Sequence, residues 1–509
     1  MAVVSEPDTS ETELRVGDNL SSGLEKVVLS GSAERGDGDG DTPLPPLPPV
    51  EDRPGTRDRL HFTLDPSVDN WASWTPRLAD TLVDDPARGL AASLERLQRA
   101  GATESPQAAA YWAYHSARMT FFLLQGLVSL GAMQLGGTDP QKAGINLSLD
   151  LKTSPGTANL VEETMKMFKD DVARIGRGDY PYPWDMTTPL HRQSNPRFVL
   201  RQGLRYVREA TGVLGRKSEN QAEPLWLDST VVPEYYRNTF HYQTDGWMSS
   251  GSAQVYESST ETLFLGRQDA MQRLSLGPIV RHARDLGRPD GKGVKMLEVG
   301  CGTGRFATFV RDALPQIEAT LVDLSPFYLE QARDNHAYWE RRRTMRTNSG
   351  SSASSSSRSS PSLVTEVLSQ LSPFPTEPMT NDAPKVKFVQ AAAESLPFDD
   401  ETYDVVSSTY MLHEVPLPVR KQFLAHAARV LKPGGTLVIN DSIQLGDRPQ
   451  RDPYIGNFGD FNEPWYRCYT RTDLGALGKE VGLVPGTKLL GSASKCLTFT
   501  KPMATTTED

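Results

Sequence analysis

The sequence predicts an α/β fold: a mostly parallel, doubly wound sheet in the C-terminal half, preceded by a helical region. Three observations carry this. From Lys295 onward, short apolar runs alternate with helix-period segments, the pattern of crossover units. A strand, a glycine-rich turn and a helix follow one another between Lys295 and Ala313. Residues 61–230 instead hold long segments whose apolar positions recur at the helical period.

Residues 1–60 are polar, acidic and rich in Gly and Pro, which predicts a disordered tail. They hold 13 acidic against 6 basic side chains, and so most of the chain's net charge of −10. The run Pro43–Pro49 favours a stiff polyproline II spacer. The remaining body is close to neutral and lacks the basic stripe of a nucleic-acid binder. The three cysteines form no C-x-x-C pair, so no metal site or disulfide framework is predicted, and a reducing compartment follows. The N-terminus lacks the apolar core of a secretory signal. The apolar stretch Met119–Met133 is too short to span a bilayer. A cytoplasmic protein without stable membrane insertion is expected.

Within residues 61–230, helices are predicted at Pro86–Ala100, Ala108–Gln134 and Asn159–Ile175, the first capped by Asp85. The Tyr-, Trp- and Pro-rich stretch Tyr180–Pro196 reads as an ordered loop, with His191 and Arg192 within it. Residues 231–290 form a lid or connector. The C-terminal domain is expected over 291–503. Its strands are predicted at Val294–Val299, Ala319–Asp323, Val386–Gln390, Tyr403–Ser407 and Thr436–Asn440, with helices at Phe306–Ala313 and Pro326–Arg343. Gly486–Gly491 and Lys495–Lys501 read as a closing hairpin. Residues 345–384 break the pattern: serine dominates the stretch from Ser349 to Ser362, which predicts a disordered surface insertion.

The chemistry concentrates in Lys295-Met-Leu-Glu-Val-Gly-Cys-Gly-Thr-Gly-Arg305. Gly300, Gly302 and Gly304 permit positive φ and close approach of a ligand, and the helix N-terminus adds free N–H donors. Asp323 ends the next strand, where an acid can accept both hydroxyls of a ribose. A dinucleotide fingerprint fits poorly: from Gly300 its last position is Arg305, and from Gly302 it is Ala307. No Tyr-x-x-x-Lys pair and no phosphate loop are present.

The stretch EVGCGTG resembles motif I of the class I S-adenosylmethionine (SAM)-dependent methyltransferases. Ala391–Phe398, Tyr403–Val406, Ser408–Glu414 and Arg429–Val438 resemble, in order, further segments of the type 11 group, which includes the ubiquinone and menaquinone C-methyltransferases. The resemblance covers residues 291–445. It implies a Rossmann-like class I methyltransferase fold, a mostly parallel seven-stranded sheet with an antiparallel edge strand. By it, Gly300, Cys301, Gly302 and Gly304 line the methionine part of SAM, with Glu298 beneath the amino group. Asp323 holds the ribose, Leu324 packs on adenine, and Ala393 and Glu394 sit at its edge. Ala392 stands where the group carries an Asp that accepts from the adenine amino group. Cys301 reads as a small filler.

Methyl transfer is an in-line displacement helped by positioning and, for a hydroxyl or acidic carbon, by a base. His413, after the fourth of these strands, is the candidate base; packing or capping is its plainer role. Tyr236, His241, Tyr242 and Trp247 are candidates for an aromatic wall about the sulfonium, and Trp465 for a second pocket loop. SAM as co-substrate, no metal, and a small organic acceptor are expected; O-, N- and C-methylation stay open. A protein methyltransferase and a non-catalytic SAM-binding factor are the alternatives. The helical region is a candidate homo-oligomer interface.

Overall fold

The computed structural model describes residues 48–68, 98, 101, 104–135, 155–187, 192, 195–218, 232–237, 245–348, 383–456 and 463–503. The sheet has eight strands: β1 (Thr63–Leu64), β2 (Lys295–Val299), β3 (Glu318–Asp323), β4 (Lys387–Gln390), β5 (Tyr403–Thr409), β6 (Leu431–Ser442), β7 (Val484–Gly491) and β8 (Ser494–Thr500). Their order is β1-β7-β8-β6-β5-β2-β3-β4. Pairing is parallel from β6 through β4. Strand β8 is antiparallel to both β6 and β7. The seven-stranded expectation holds for β2–β8. The antiparallel strand lies inside the edge, because β7 and then β1 continue the sheet beyond it.

The helices are α1 (Pro106–Leu135), α2 (Pro155–Gly176), α3 (Pro196–Ser218), α4 (Ser250–Leu263), α5 (Leu276–Asp285), α6 (Arg305–Ala313), α7 (Pro326–Asn348), α8 (Leu417–Val430) and α9 (Leu474–Glu480). Side-chain caps open several of them: Ser105 accepts from the Ala108 N–H in α1, Ser249 from the Ser252 N–H in α4, Ser325 from the Tyr328 N–H in α7, and Asp473 from the Ala476 N–H in α9. The predicted helix Pro86–Ala100 lies outside the described residues apart from Gln98. So do residues 1–47 and most of the Ser-rich insertion.

Side chains alternate across the central strands, so neighbours enter opposite layers. Val405 joins a core with Phe306 and Leu274, and with Tyr111 and Phe168 from α1 and α2. Val406 joins the other core, with Leu297, Phe423 and Leu437. The helical region therefore packs straight onto one face of the sheet and shares its core. A buried ion pair crosses that seam: Arg273 holds Asp171, which also accepts from the Tyr111 and Tyr180 hydroxyls at 2.5 and 2.7 Å.

Residues 48–60 correct the expected extent of the tail. They form an ordered strap of two short helical turns leading into β1. Its Asp58 is fully buried and accepts from Lys495 Nζ at 2.6 Å, and the Gly55 carbonyl accepts from Lys488 Nζ at 3.0 Å. Local composition hides this, since both partners lie near the opposite end of the chain.

Candidate active site

The turn from β2 into α6 has the predicted backbone: φ is +71°, +54° and +71° at Gly300, Gly302 and Gly304. The three glycines serve different ends. A Cβ on Gly300 would meet the Met411 side chain at 2.8 Å, and one on Gly304 would meet His336 Nε2 at 3.1 Å. Only Gly302 faces room, with Tyr256 Cε1 at 3.6 Å and Tyr328 Cδ1 at 4.0 Å. The Gly302 N–H donates to Asp323 Oδ2 at 2.8 Å, tying the turn to the end of β3.

Two carboxyls lie beneath this turn. Burial, and then the nearby Asp323, push Glu298 up to about 8. Burial raises Asp323 to about 6, against backbone N–H bonds that hold it down. Burial also raises the Cys301 thiol well above its ordinary value, so it stays protonated, as a filler would.

Above the turn stands a group of rings. Trp247 lies 4.9 Å from Tyr328 and 5.6 Å from Tyr256, and Tyr236 lies 6.5 Å from Trp247, centroid to centroid. The Trp247 carbonyl accepts from the Ser325 hydroxyl, anchoring the segment beside Asp323. Tyr235 donates to Glu394 at 2.7 Å. Leu324 is half-buried, and its carbonyl accepts from the Gln390 amide. Ala393 packs against the core. Residues 391–394 thus follow β4 beside Asp323, whose carbonyl accepts the Ala391 N–H.

The loops after β5 and β6 build a second chamber. Its walls include Tyr256, Phe264, Tyr410, His413, Glu463 and Tyr466, around a free volume of about 470 Å³, its open mouth included. His413 is buried in the turn Leu412–Glu414. Asp441, at the end of β6, accepts from His413 Nδ1 at 2.6 Å and from the Leu412 N–H at 2.8 Å. One carboxylate thus sets both the turn and the ring. His413 Nε2 then points toward Glu414 and Glu463, at 3.6 and 3.9 Å. Burial alone would depress His413; Asp441, Glu414 and Glu463 outweigh it and hold it up to about 9. Tyr410 bears a positive φ of 56°, unusual outside glycine, and is held by a hydroxyl bond to Ser494.

Two family models, each described as a methyltransferase domain, match the chain consecutively over residues 297–365 and 366–439. The chain carries a class I, SAM-dependent methyltransferase domain. A phthiotriol/phenolphthiotriol dimycocerosates methyltransferase of Mycobacterium leprae is 28% identical over 149 residues, 29% of this chain and 38% of that protein. A ubiquinone/menaquinone biosynthesis C-methyltransferase of a Marinomonas species is 48% identical over 54 residues, 11% of this chain and 21% of that protein. The chain spans less than half the length of these relatives. Among solved structures, the CurJ carbon methyltransferase aligns over 84% of this chain and all of its own, at 14% identity and a TM-score of 0.36.

The methyltransferase turn fits SAM. Glu298 Oε2 is buried without a hydrogen-bond partner at the spot where an ammonium group is expected. Asp323, Gly302 and the rings of Trp247 and Tyr256 surround the same turn. Tyr256 then joins the two halves: it faces Gly302 and also walls the His413 chamber. Sequence reasoning missed it and Asp441; Glu463 and Tyr466 belong to the second aromatic loop expected at the pocket, in which Trp465 was the residue singled out. Of the expected pocket residues, Trp465 stays outside the chamber lining, where its neighbour Tyr466 stands. The Trp465 carbonyl instead accepts from Arg420. His191, His241 and Tyr242 lie outside the described residues. Arg192 stacks on Tyr338 of α7, 4.5 Å from its centroid, so it braces the helical region.

Proposed function

We propose that this protein methylates a small organic acceptor seated in the His413 chamber. The observation that carries the reading is the position of Tyr256, shared by the glycine turn and by that chamber. SAM, when bound, supplies a methyl group on a positively charged sulfur that an acceptor nucleophile displaces. The chain's own groups orient the two partners. Glu298 receives the ammonium end and Asp323 the ribose. Trp247, Tyr236 and Tyr256 offer ring faces to the sulfonium. Mutual positioning supplies much of the rate.

His413 handles the acceptor's proton. Its ring is fixed by Asp441 at Nδ1, so Nε2 faces the chamber. With the imidazole held up to about 9, the ring is mostly protonated at neutral pH. It takes a proton only from the neutral fraction, which grows about tenfold per pH unit up to that value. As an imidazolium it also stabilises negative charge that develops on the acceptor. Similarity to methyltransferases named for lipid and quinone substrates supports a small-molecule acceptor. Cytoplasmic placement remains part of the same reading; among the described residues no helix is long and apolar enough to cross a membrane.

The test is transfer of label from methyl-labelled SAM to a whole-cell extract. Label should enter a low-mass organic fraction, and His413→Gln should lose at least about 100-fold in rate while still binding SAM. Label confined to protein would replace this reading with protein methylation. SAM binding without any transfer would favour a non-catalytic factor.

A further inference from the structure

A second cavity adjoins the His413 chamber. Its free volume is about 560 Å³, open space included, and it lies where α1, α3, α4 and the segment 268–272 meet. The two cavities share Tyr256, Thr260 and Gln268 in their walls. They are therefore neighbours, and the second reaches from Arg305, at the start of α6, into the helical region.

The two arginines in this wall are engaged by carboxylates. Arg118 contacts Glu261 at 2.7 Å and Asp269 at 3.3 Å. Arg305 contacts Asp269 at 2.6 Å and Asp185 at 2.7 Å. Burial pushes the Glu261 carboxyl upward against the pull of Arg118. The remaining wall carboxylate, Glu257, accepts from the Thr303 hydroxyl at 3.1 Å and the Asn335 amide at 2.8 Å, so it too is engaged.

What the wall leaves over is uncharged. Gln268 and Gln272 are 4% and 7% exposed, and the amide oxygen of each is buried without a hydrogen-bond partner. A buried amide in that state carries its desolvation cost uncompensated until a ligand or water supplies the bond. A glutamine amide offers a donor and an acceptor side by side, and a primary carboxamide, with one N–H on the same side as its C=O, matches both.

We propose that Gln268 and Gln272 form a polar subsite that hydrogen-bonds an uncharged carboxamide in the tail of the acceptor. This deepens the proposed function and rests on it. The acceptor is then elongated: its reacting end lies among the rings around His413, and its amide lies one cavity away. Gln268, at the boundary, reads the junction between them. Both glutamines act on specificity and touch no reacting atom.

The test uses the full chain saturated with SAM and four small probes: pentanamide, 1-butanol, butylammonium and butyrate. Binding is followed by ligand-observed NMR. Pentanamide should bind best, and Gln272→Leu and Gln268→Leu should each weaken it about tenfold. Tm should be unchanged or raised, since leucine removes a stranded polar group. Should a leucine variant fold poorly, Gln268→Glu serves instead: it keeps the shape, loses the amide donor, and should also weaken the probe. Butylammonium or butyrate binding as tightly as the amide, or an amide affinity indifferent to these substitutions, would overturn the subsite. So would 1-butanol matching the amide, which would assign a hydroxyl tail. Wild-type protein that fails to bind SAM at all would instead sink the methyltransferase reading itself, so the two failures are separable.

Discussion

Glu298 is the residue whose charge must change when the co-substrate arrives. With its carboxyl held up to about 8 by burial and by Asp323, it is mostly protonated at pH 7. An ammonium group seated on it favours the carboxylate, so binding should expel a proton. Calorimetric heats of SAM binding at pH 7 should therefore depend on the ionisation enthalpy of the buffer. Affinity should tighten as pH rises toward 8. Glu298→Gln should abolish both effects; buffer-independent heats in the native protein would refute the assignment. His413 makes a complementary prediction about stability. Its folded value of about 9 exceeds the unfolded 6.5, so its contribution is complete below 6.5 and is lost as pH rises through 9. About 3 kcal/mol is at stake over that window. Glu298 loses stability with rising pH in an overlapping range, so the informative quantity is the native curve minus that of His413→Gln. A flat difference between pH 6.5 and 9 would count against the Asp441–His413 pairing. Both residues were legible in the sequence because they flank motifs with fixed spacing. Asp441 and Tyr256 were not, because their roles come from packing: one from the end of β6 meeting the turn after β5, the other from where α4 lies across the glycine turn.

At the scale of elements, the glycine turn behaves less uniformly than its motif suggests. Gly300 and Gly304 are required by their neighbours Met411 and His336, whereas Gly302 is the position open to a ligand. Gly304→Ala should therefore cost stability, about 1–3 kcal/mol from positive φ and crowding together, visible as a lower denaturation midpoint. Gly302→Ala, with no neighbour closer than 3.6 Å, should incur mainly the positive-φ strain and lose SAM affinity more than the other two. Equal losses of SAM affinity at all three positions would contradict this division. The strands of the sheet were legible because a sheet covered on both faces needs apolar residues at strand centres, as at Val405–Val406 and Leu437–Ile439, all buried. Helix α3 was not among the predicted helices. Its apolar positions Leu200 and Leu204 stand 57% and 64% exposed, so the pattern there does not mark a buried stripe.

For the molecule as a whole, the helical region and the sheet share one core and one buried charge network. Asp171→Ala would leave Arg273 buried beside Tyr111 and Tyr180 without its carboxylate. Loss of one partner of such a pair costs about 3–5 kcal/mol. The shared core predicts that helical and sheet signals fall together in a single thermal transition; two separated transitions would show the layers to be independent. The sequence pointed to two successive regions because composition changes at Lys295, but composition does not report which faces meet.

The strap at residues 48–64 has a consequence for how the chain is born. It leaves the ribosome long before Lys488 and Lys495, the groups it covers, are made. At about 5–20 residues per second, synthesis keeps the two apart for tens of seconds. Until then Asp58 has no ammonium to hold, and the edge of β7 does not exist. The strap is thus made well before the strand that seats it. A ribosome stalled before residue 480 would carry a nascent chain whose strap still waits for its partner strand.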